Sequence, residues 1–270
     1  MISFNRMSVG CSVAVLLGLS QSAAAEGGFF DWVHGDWYLT VGASGIVAPR
    51  FEGSSSRIFT ASPIISLGKA GAPARFVSRN DNISMSLLDD GPVRAGLTGK
   101  FLFARDNDID DLKGLDPVRW GGEVGGFFEI YPTDWMRMRG EVRHGIRAHN
   151  GIVADISADA FYDVTPTIRV SGGPRASFAT AKYFDAYYGV SASESAASGL
   201  SRYDPGSGLK SVGVGGAVNW KATDKITATL FSEYSRLKGP AADSSLVKER
   251  GSRDQLMFGV SATYRFDFQM

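Results

Sequence analysis

The sequence predicts an all-β fold, a closed antiparallel transmembrane β-barrel of about twelve strands, with roughly ten to fourteen compatible with the pattern. Three observations predict it: an export leader, apolar alternation of period two from Trp37 to Phe266, and short turns that alternate with long loops.

Residues 1–25 hold Arg6, the apolar stretch Val13 to Leu19 and the small residues Ala23, Ala24 and Ala25. That order is a secretory signal with cleavage expected after Ala25. The apolar run falls far short of the roughly 20 residues a spanning helix needs, which makes an N-terminal anchor the weaker reading. The only cysteine, Cys11, lies inside this leader, and Ser8-Val9-Gly10 lacks the apolar approach of a lipoprotein site. A mature chain without a thiol has no disulfide, Cys-ligated zinc or cysteine nucleophile. The remaining body is close to neutral and carries no nucleic-acid footprint. The expected organisation is signal 1–25, periplasmic segment 26–36 and outer-membrane barrel 37–270.

Beyond the leader no apolar run approaches 18 residues, which excludes a helical membrane protein but not a barrel, whose strands present lipid-facing residues at alternate positions. The clearest case is Val93, Ala95, Leu97, Phe101 and Phe103 against Arg94, Gly96, Thr98 and Lys100. The same alternation sets Trp37, Leu39 and Val41 against Tyr38 and Thr40, Val124, Phe128 and Ile130 against Glu123 and Glu129, and Val212, Val214 and Val218 against Ser211 and Asn219. The last segment sets Leu256, Phe258, Val260, Tyr264 and Phe266 against Gln255, Ser261, Thr263 and Arg265. The pair Arg75 to Arg79 and Ile83 to Leu88 is short, and without it ten strands remain. Gly172-Gly173-Pro174 predicts a bend or bulge.

Short turns are expected at Asp89 to Pro92, Tyr131 to Asp134, Asp163 to Pro166 and Lys221 to Asp224, and long loops at Asp106 to Val118, Arg147 to Gly151, Thr180 to Gly208 and Leu237 to Asp254. One short rim, facing the periplasm, and one long rim are the asymmetry of outer-membrane barrels. Trp37, Trp120, Tyr131, Trp135, Trp220 and Tyr264 fall near strand ends, where an interfacial girdle would place them. A soluble β-sandwich is the rival, and strands this long with such rim asymmetry disfavour it.

The most informative lumen cluster is Arg137, Arg139, Glu141 and Arg143, followed on the next strand by Asp155 and Asp159. If Ile146 opposes Ile152 across the intervening turn, Arg143 faces Asp155 and Arg139 faces Asp159 as cross-strand ion pairs. Such a cluster either selects solutes at a constriction or plugs a narrow bore, and the plug is the favoured reading. His144 and His149 beside Asp155 lack a third metal ligand with convincing spacing. Ser157 or Ser177 with His144 as base is a remote catalytic reading, so no enzyme, metal or cofactor is expected. Gly206-Ser207-Gly208 is followed by no Gly-Lys-Ser/Thr motif and is not a phosphate loop. The Thr180 to Gly208 loop carries Tyr187, Tyr188, Glu194, Arg202 and Tyr203. It is read as an exposed mobile loop that binds a partner or folds over the bore, or as one ordered for stability alone.

Several segments carry a family resemblance. They are Trp37-x-Leu39-x-Val41-Gly42, Phe51-Glu52-Gly53-Ser54, Tyr187-Tyr188-Gly189-Val190-Ser191, Glu194-Ser195-Ala196-Ala197-Ser198-Gly199, Tyr203-x-Pro205-Gly206, Ala242-Asp243-Ser244 and Gly259-Val260-Ser261-x-x-Tyr264-Arg265-Phe266. In order and spacing the chain resembles the MltA-interacting protein family, MipA/OmpV. The resemblance implies an outer-membrane protein that scaffolds a lytic transglycosylase and a penicillin-binding peptidoglycan synthase. A narrow diffusion channel and a surface adhesin are the alternatives. It implies no catalytic residue. The barrel-insertion machinery is expected to read Tyr264, Phe266 and Phe268, although Asp267 to Met270 extend past the usual terminal aromatic.

Overall fold

The computed structural model describes residues 14–18, 36–69 and 75–269. The expected cleavage site and nearly all of segment 26–36 lie outside them. Alternating residues form long strands: β2 (Asp36–Pro49), β3 (Arg57–Lys69), β4 (Ile83–Asp90), β5 (Val93–Leu102), β6 (Gly121–Thr133), β7 (Met136–Ile146), β8 (Ile152–Asp163), β9 (Ile168–Ala179), β10 (Gly208–Lys221), β11 (Ile226–Leu237) and β12 (Asp254–Gln269). These eleven make one antiparallel sheet in the order β3-β2-β12-β11-β10-β9-β8-β7-β6-β5-β4. β12 meets β2 from Phe258↔Val47 to Gln269↔Asp36, so the last strand pairs with β2.

The expectation of a twelfth wall strand at Arg75 to Arg79 is corrected. That stretch forms no strand, because neither alternate set (Arg75, Val77, Arg79 or Phe76, Ser78, Asn80) is apolar enough to face lipid. Instead it enters the lumen. Among the described residues β3 and β4 do not pair with each other, so the eleven antiparallel strands form an open sheet. A five-residue strand, β1 (Ala14–Gly18), runs parallel to β3 with Ala14 opposite Ile64 and Gly18 opposite Gly68, and lies against β4. It falls within the expected leader.

The wall is a protein turned inside out. Leu97 on β5 is 52% exposed while its neighbour Thr98 is 3% exposed, and Val142 on β7 is 57% exposed while Arg143 is 1% exposed. Apolar side chains face out and polar ones face a common interior, as lipid outside and water or charge inside require. Trp120, Trp135, Trp220 and Tyr264 are exposed near strand ends, as a girdle requires. Trp37 is buried, however, and Tyr131 turns its hydroxyl inward to Glu129, so neither belongs to the girdle.

All four expected short turns are present, and the other rim carries the long loops. The bulge expected at Gly172 to Pro174 is absent. The ladder between β8 and β9 lapses there, where Pro174 has no N–H, but no residue is inserted. The irregularity in β10 lies at Lys210, between Leu209 and Ser211.

Candidate functional site in the lumen

The β7 arginines form the spine of the site. Arg137 contacts Asp81 at 2.5 and 2.8 Å, Asp159 at 2.8 Å and Glu129 at 3.3 Å. Arg139 donates to Glu129, to Glu141 at 2.6 Å and to Ser84 at 2.6 Å. Arg143 donates to Glu123 at 2.8 Å and to both Glu141 and Asp155. Arg94 extends the column to Glu129 at 3.0 Å and Asp89 at 3.1 Å, and Arg175 joins it at Asp159. Every guanidinium meets at least two acceptors, which is how charges can be taken out of water at tolerable cost.

The predicted register needs correction. Arg143 lies opposite Val153, Glu141 opposite Asp155, Arg139 opposite Ser157 and Arg137 opposite Asp159. The pairing is displaced by two residues because the turn closes at Gly145, whose N–H donates to Gly151 O at 2.9 Å. Arg147 takes the left-handed region at φ 74°. His149 folds back over Gly145, and a β-carbon there would meet the imidazole at 2.2 Å, so only glycine fits. Arg143 still reaches Asp155 diagonally, whereas the Arg139–Asp159 pair is replaced by Arg137–Asp159.

The histidines are not poised for catalysis. His149 is buried, with Nε2 toward Glu123 at 3.1 Å and Nδ1 accepting from the Gly151 N–H at 3.1 Å. Both nitrogens are occupied, which leaves no base. His144 shares the outward face with Val142 and Ile146, across the wall from Ser157 and Ser177. Among the described residues no group of three or more His, Cys, Asp or Glu side chains is arranged to hold a metal.

Segment 75–82, of which sequence reasoning read Arg75 to Arg79 as wall, supplies the lower obstruction. Phe76 stacks on Phe161 at 4.4 Å, Arg75 bridges to Asp89 at 2.6 Å, Ser78 accepts from Arg175, and Asn82 donates to Glu141 at 2.7 Å. Its run of charged and amide residues without an apolar face was the available signal.

The long loops form the upper obstruction, an ordered lid. Helices α1 (Ala181–Tyr188), α2 (Ala192–Ser198) and α3 (Gly239–Asp243), a 3-10 turn (Asp110–Leu112) and a π-helical turn (Leu246–Arg250) pack over the mouth. Two apolar clusters hold it: Phe184, Tyr188, Leu237 and Val247 with the strand residues Val153 and Ala179, and Leu112, Leu115, Val190, Leu200 and Leu246. The capping box of Ser191 and Glu194 starts α2, and Glu194 also accepts from the Asp116 N–H at 2.9 Å. Gly114, at φ 84°, lets its loop touch Ala197, where a β-carbon would meet backbone at 2.7 Å.

Of the readings given to the Thr180 to Gly208 loop, the structure shows the one in which it folds over the bore. Tyr188 is buried, Tyr187 packs beside it, Tyr203 donates to Pro240 O at 2.9 Å, and Arg202 alone of the five candidates is exposed. The Tyr183 hydroxyl donates to Glu52 at 2.7 Å, and Lys210 lies 3.0 Å from the same carboxylate. Burial raises the Glu52 carboxyl, but Lys210 and Tyr183 outweigh it and hold it below its ordinary value. Burial, with the charges of Glu123 and Glu52, pushes the Tyr187 phenol up to about 12, so it stays neutral.

Tyr264, Phe266 and Phe268 line the outer face of β12, with the first two rings 4.6 Å apart, and the strand continues to Gln269. Residues Asp267 to Gln269 thus lengthen the last strand rather than trail from it.

Comparison with known proteins places these features. Residues 41–266 match MltA-interacting protein MipA. The chain belongs to the MipA family. Solved structures similar to this MipA-family chain are outer-membrane proteins. A NanC porin shares 9% identity over 84% of this chain and 98% of its own, with a TM-score of 0.42. A bacterial polysaccharide outer-membrane secretin shares 9% identity over 85% and 98%, with a TM-score of 0.46. Neisserial surface protein A shares 10% identity over 86% and 99%, with a TM-score of 0.27. No curated protein matches the MipA-family sequence.

Proposed function

We propose that the protein is a closed, non-conducting outer-membrane barrel that holds a lytic transglycosylase and a penicillin-binding synthase at the inner surface of the membrane. The observation that carries this reading is the double obstruction of the bore, by the lid above and segment 75–82 below. A channel needs a through path, whereas a scaffold needs only a rigid wall and an accessible rim. The family name records interaction with MltA, and the short rim offers exposed Trp135 and Val164 as anchors for a partner. Export through cleavage of residues 1–25 belongs to the same reading.

Strand direction permits closure. Ten antiparallel steps separate β3 from β4 in the sheet order, so the two run the same way. Bare strand edges are not tolerated in hydrocarbon, and once the leader is removed β3 pairs with β4 in parallel to seal the wall.

A narrow diffusion channel is the second reading, favoured by the cavities that remain in the lumen. Pull-down of a purified lytic transglycosylase in detergent and in liposomes, run beside planar-bilayer recording, separates the two. Partner capture without steady conductance supports the scaffold. Conductance without capture replaces it with the channel.

A further inference from the structure

Three adjoining cavities run beside segment 75–82. The first, about 260 Å³, opens among the short turns between Arg75, Asp163, Pro166, Arg169 and Lys221. It shares Val77 and Asn219 with a second of about 200 Å³. That one shares Arg79, Asn80, Arg175 and Glu233 with a third of about 470 Å³, which reaches Glu52 and Lys210 beneath the lid. The lid ends the series. The three cavities thus follow one another from the short-turn rim to the underside of the lid, and the largest lies within the roughly 300–1,000 Å³ typical of small-molecule sites.

Two of its cations make no close ion pair among the described residues. Arg79 lies over the Phe231 ring at 4.7 Å, and its buried Nε has no hydrogen-bond partner. Neither its guanidinium nor the ammonium of Lys100 enters an ion pair among the described residues, although both line the largest compartment. The other arginines that line the three cavities, Arg75, Arg139, Arg169 and Arg175, each pair with at least one acid. Around Arg79 the second cavity offers hydroxyl and amide groups, notably Ser78, Asn80, Asn219, Thr229 and Ser232. A planar guanidinium with free donors suits a carboxylate, and the surrounding hydroxyls and amides suit a polyol.

We propose that this chamber binds a small hydroxylated carboxylate, a sugar acid by class, entering from the short-turn rim. Arg79 takes the carboxylate, Lys100 adds charge from the facing wall, and Phe231 supports the guanidinium from behind. The source is either a diffusible uronate or a carboxylate-bearing sugar released from the cell wall. The site goes beyond the scaffold reading, and its test involves no partner enzyme.

The full mature protein in detergent is titrated calorimetrically with galacturonate, N-acetylmuramate and neutral galactose. Binding of either acid with at least about tenfold preference over galactose is expected, and whichever acid binds tighter identifies the source. Arg79→Gln lowers acid affinity at least about tenfold and Lys100→Gln less, while Arg79→Lys recovers part of it. Gel mobility before and after boiling checks that each variant keeps its barrel. Val77→Trp, at the junction of the two outer cavities, slows association. Equal binding of acid and neutral sugar, no binding of either acid, or a folded Arg79→Gln that binds as the parent overturns the site. An unaltered association rate in Val77→Trp overturns the route of entry.

Discussion

Arg137 of β7 grips Asp81 of the inward segment through both terminal nitrogens, at 2.5 and 2.8 Å, while also reaching Asp159 of β8 at 2.8 Å. One guanidinium thereby ties the lower obstruction to the wall, with its side chain only 1% exposed. Removing the charge of Asp81 leaves Arg137 with Asp159 and Glu129, so the wall survives while the segment loses its anchor.

Asp81→Asn is expected to weaken segment docking by about 1.5–3 kcal/mol, the range for a hydrogen bond to a charged group. Amide hydrogen exchange at residues 75–82 should be faster in this variant than in the parent. Exchange as slow as the parent's would remove Asp81 as the anchor.

Arg250 does for the lid what Arg137 does below. Its Nη1 donates to Asp110 O at 3.4 Å, Asp111 O at 3.1 Å and Lys113 O at 3.4 Å, and its Nη2 donates to Ser198 O, which joins three loops. Arg250→Gln should leave the barrel resistant to detergent but loosen the lid by about 2 kcal/mol. Limited proteolysis should then cut between residues 106 and 118 at least tenfold faster, with the gel shift on boiling retained. Loss of the gel shift would mean that the lid and wall fold as one unit.

The wall was legible in the sequence because lipid imposes a period of two, which Val93 to Phe103 and Leu256 to Phe266 display with few exceptions such as Leu102 and Met257. The inward-pointing arginines of β7 were legible for the same reason. Their partners were less so. Register depends on whether a turn closes at Gly145 or Ile146, and the packing of His149 over Gly145 decides that in three dimensions. Asp81 was hidden because nothing local says that a polar stretch between strands will run inside rather than outside. The lid was hidden for a related reason: Phe184, Leu200 and Leu246 lie far apart in sequence and form a core only when the loops meet.

The displaced register has its own energetic signature. Arg137 and Asp159 are directly opposed and 2.8 Å apart, whereas Arg139 finds its acids at Glu129 and Glu141. A double-mutant cycle of Arg137→Gln with Asp159→Asn should give a coupling of about 1–3 kcal/mol, and Arg139→Gln with Asp159→Asn less than about 0.5 kcal/mol. Urea midpoints of the refolded barrel provide the measurement. The reverse ranking would restore the register that pairs Arg139 with Asp159.

The seam between β3 and β4 can be tested by crosslinking, since the expected mature chain contains no cysteine of its own. Ile65 on β3 and Met85 and Leu87 on β4 all face outward. Cysteine at position 65, combined in turn with cysteine at 85 or 87, should form a spontaneous or reagent-bridged link in at least one pair in membranes. No link in either pair, with short bridging reagents included, would argue against direct contact of these edges.

Glu52 makes the lid sensitive to acid. Its carboxylate accepts from Tyr183 and pairs with Lys210, and its folded value lies below the ordinary 4.5. A carboxyl depressed on folding contributes stability that is complete above its unfolded value and disappears as pH falls through the folded one. The lid should therefore exchange amide hydrogens at a pH-corrected rate that is flat from neutral down to about pH 5, then open progressively below about pH 4.5. Other carboxylates titrate in the same window, so the informative quantity is the difference between the parent and Glu52→Gln. The variant should start looser at pH 7 and change less on acidification, with the two curves converging near pH 3. Hydrogen exchange followed at residues 181–188 reads this directly, because Tyr183 in that helix carries the contact to Glu52. Parallel curves across the whole range would show that the carboxylate contributes nothing to holding the lid shut.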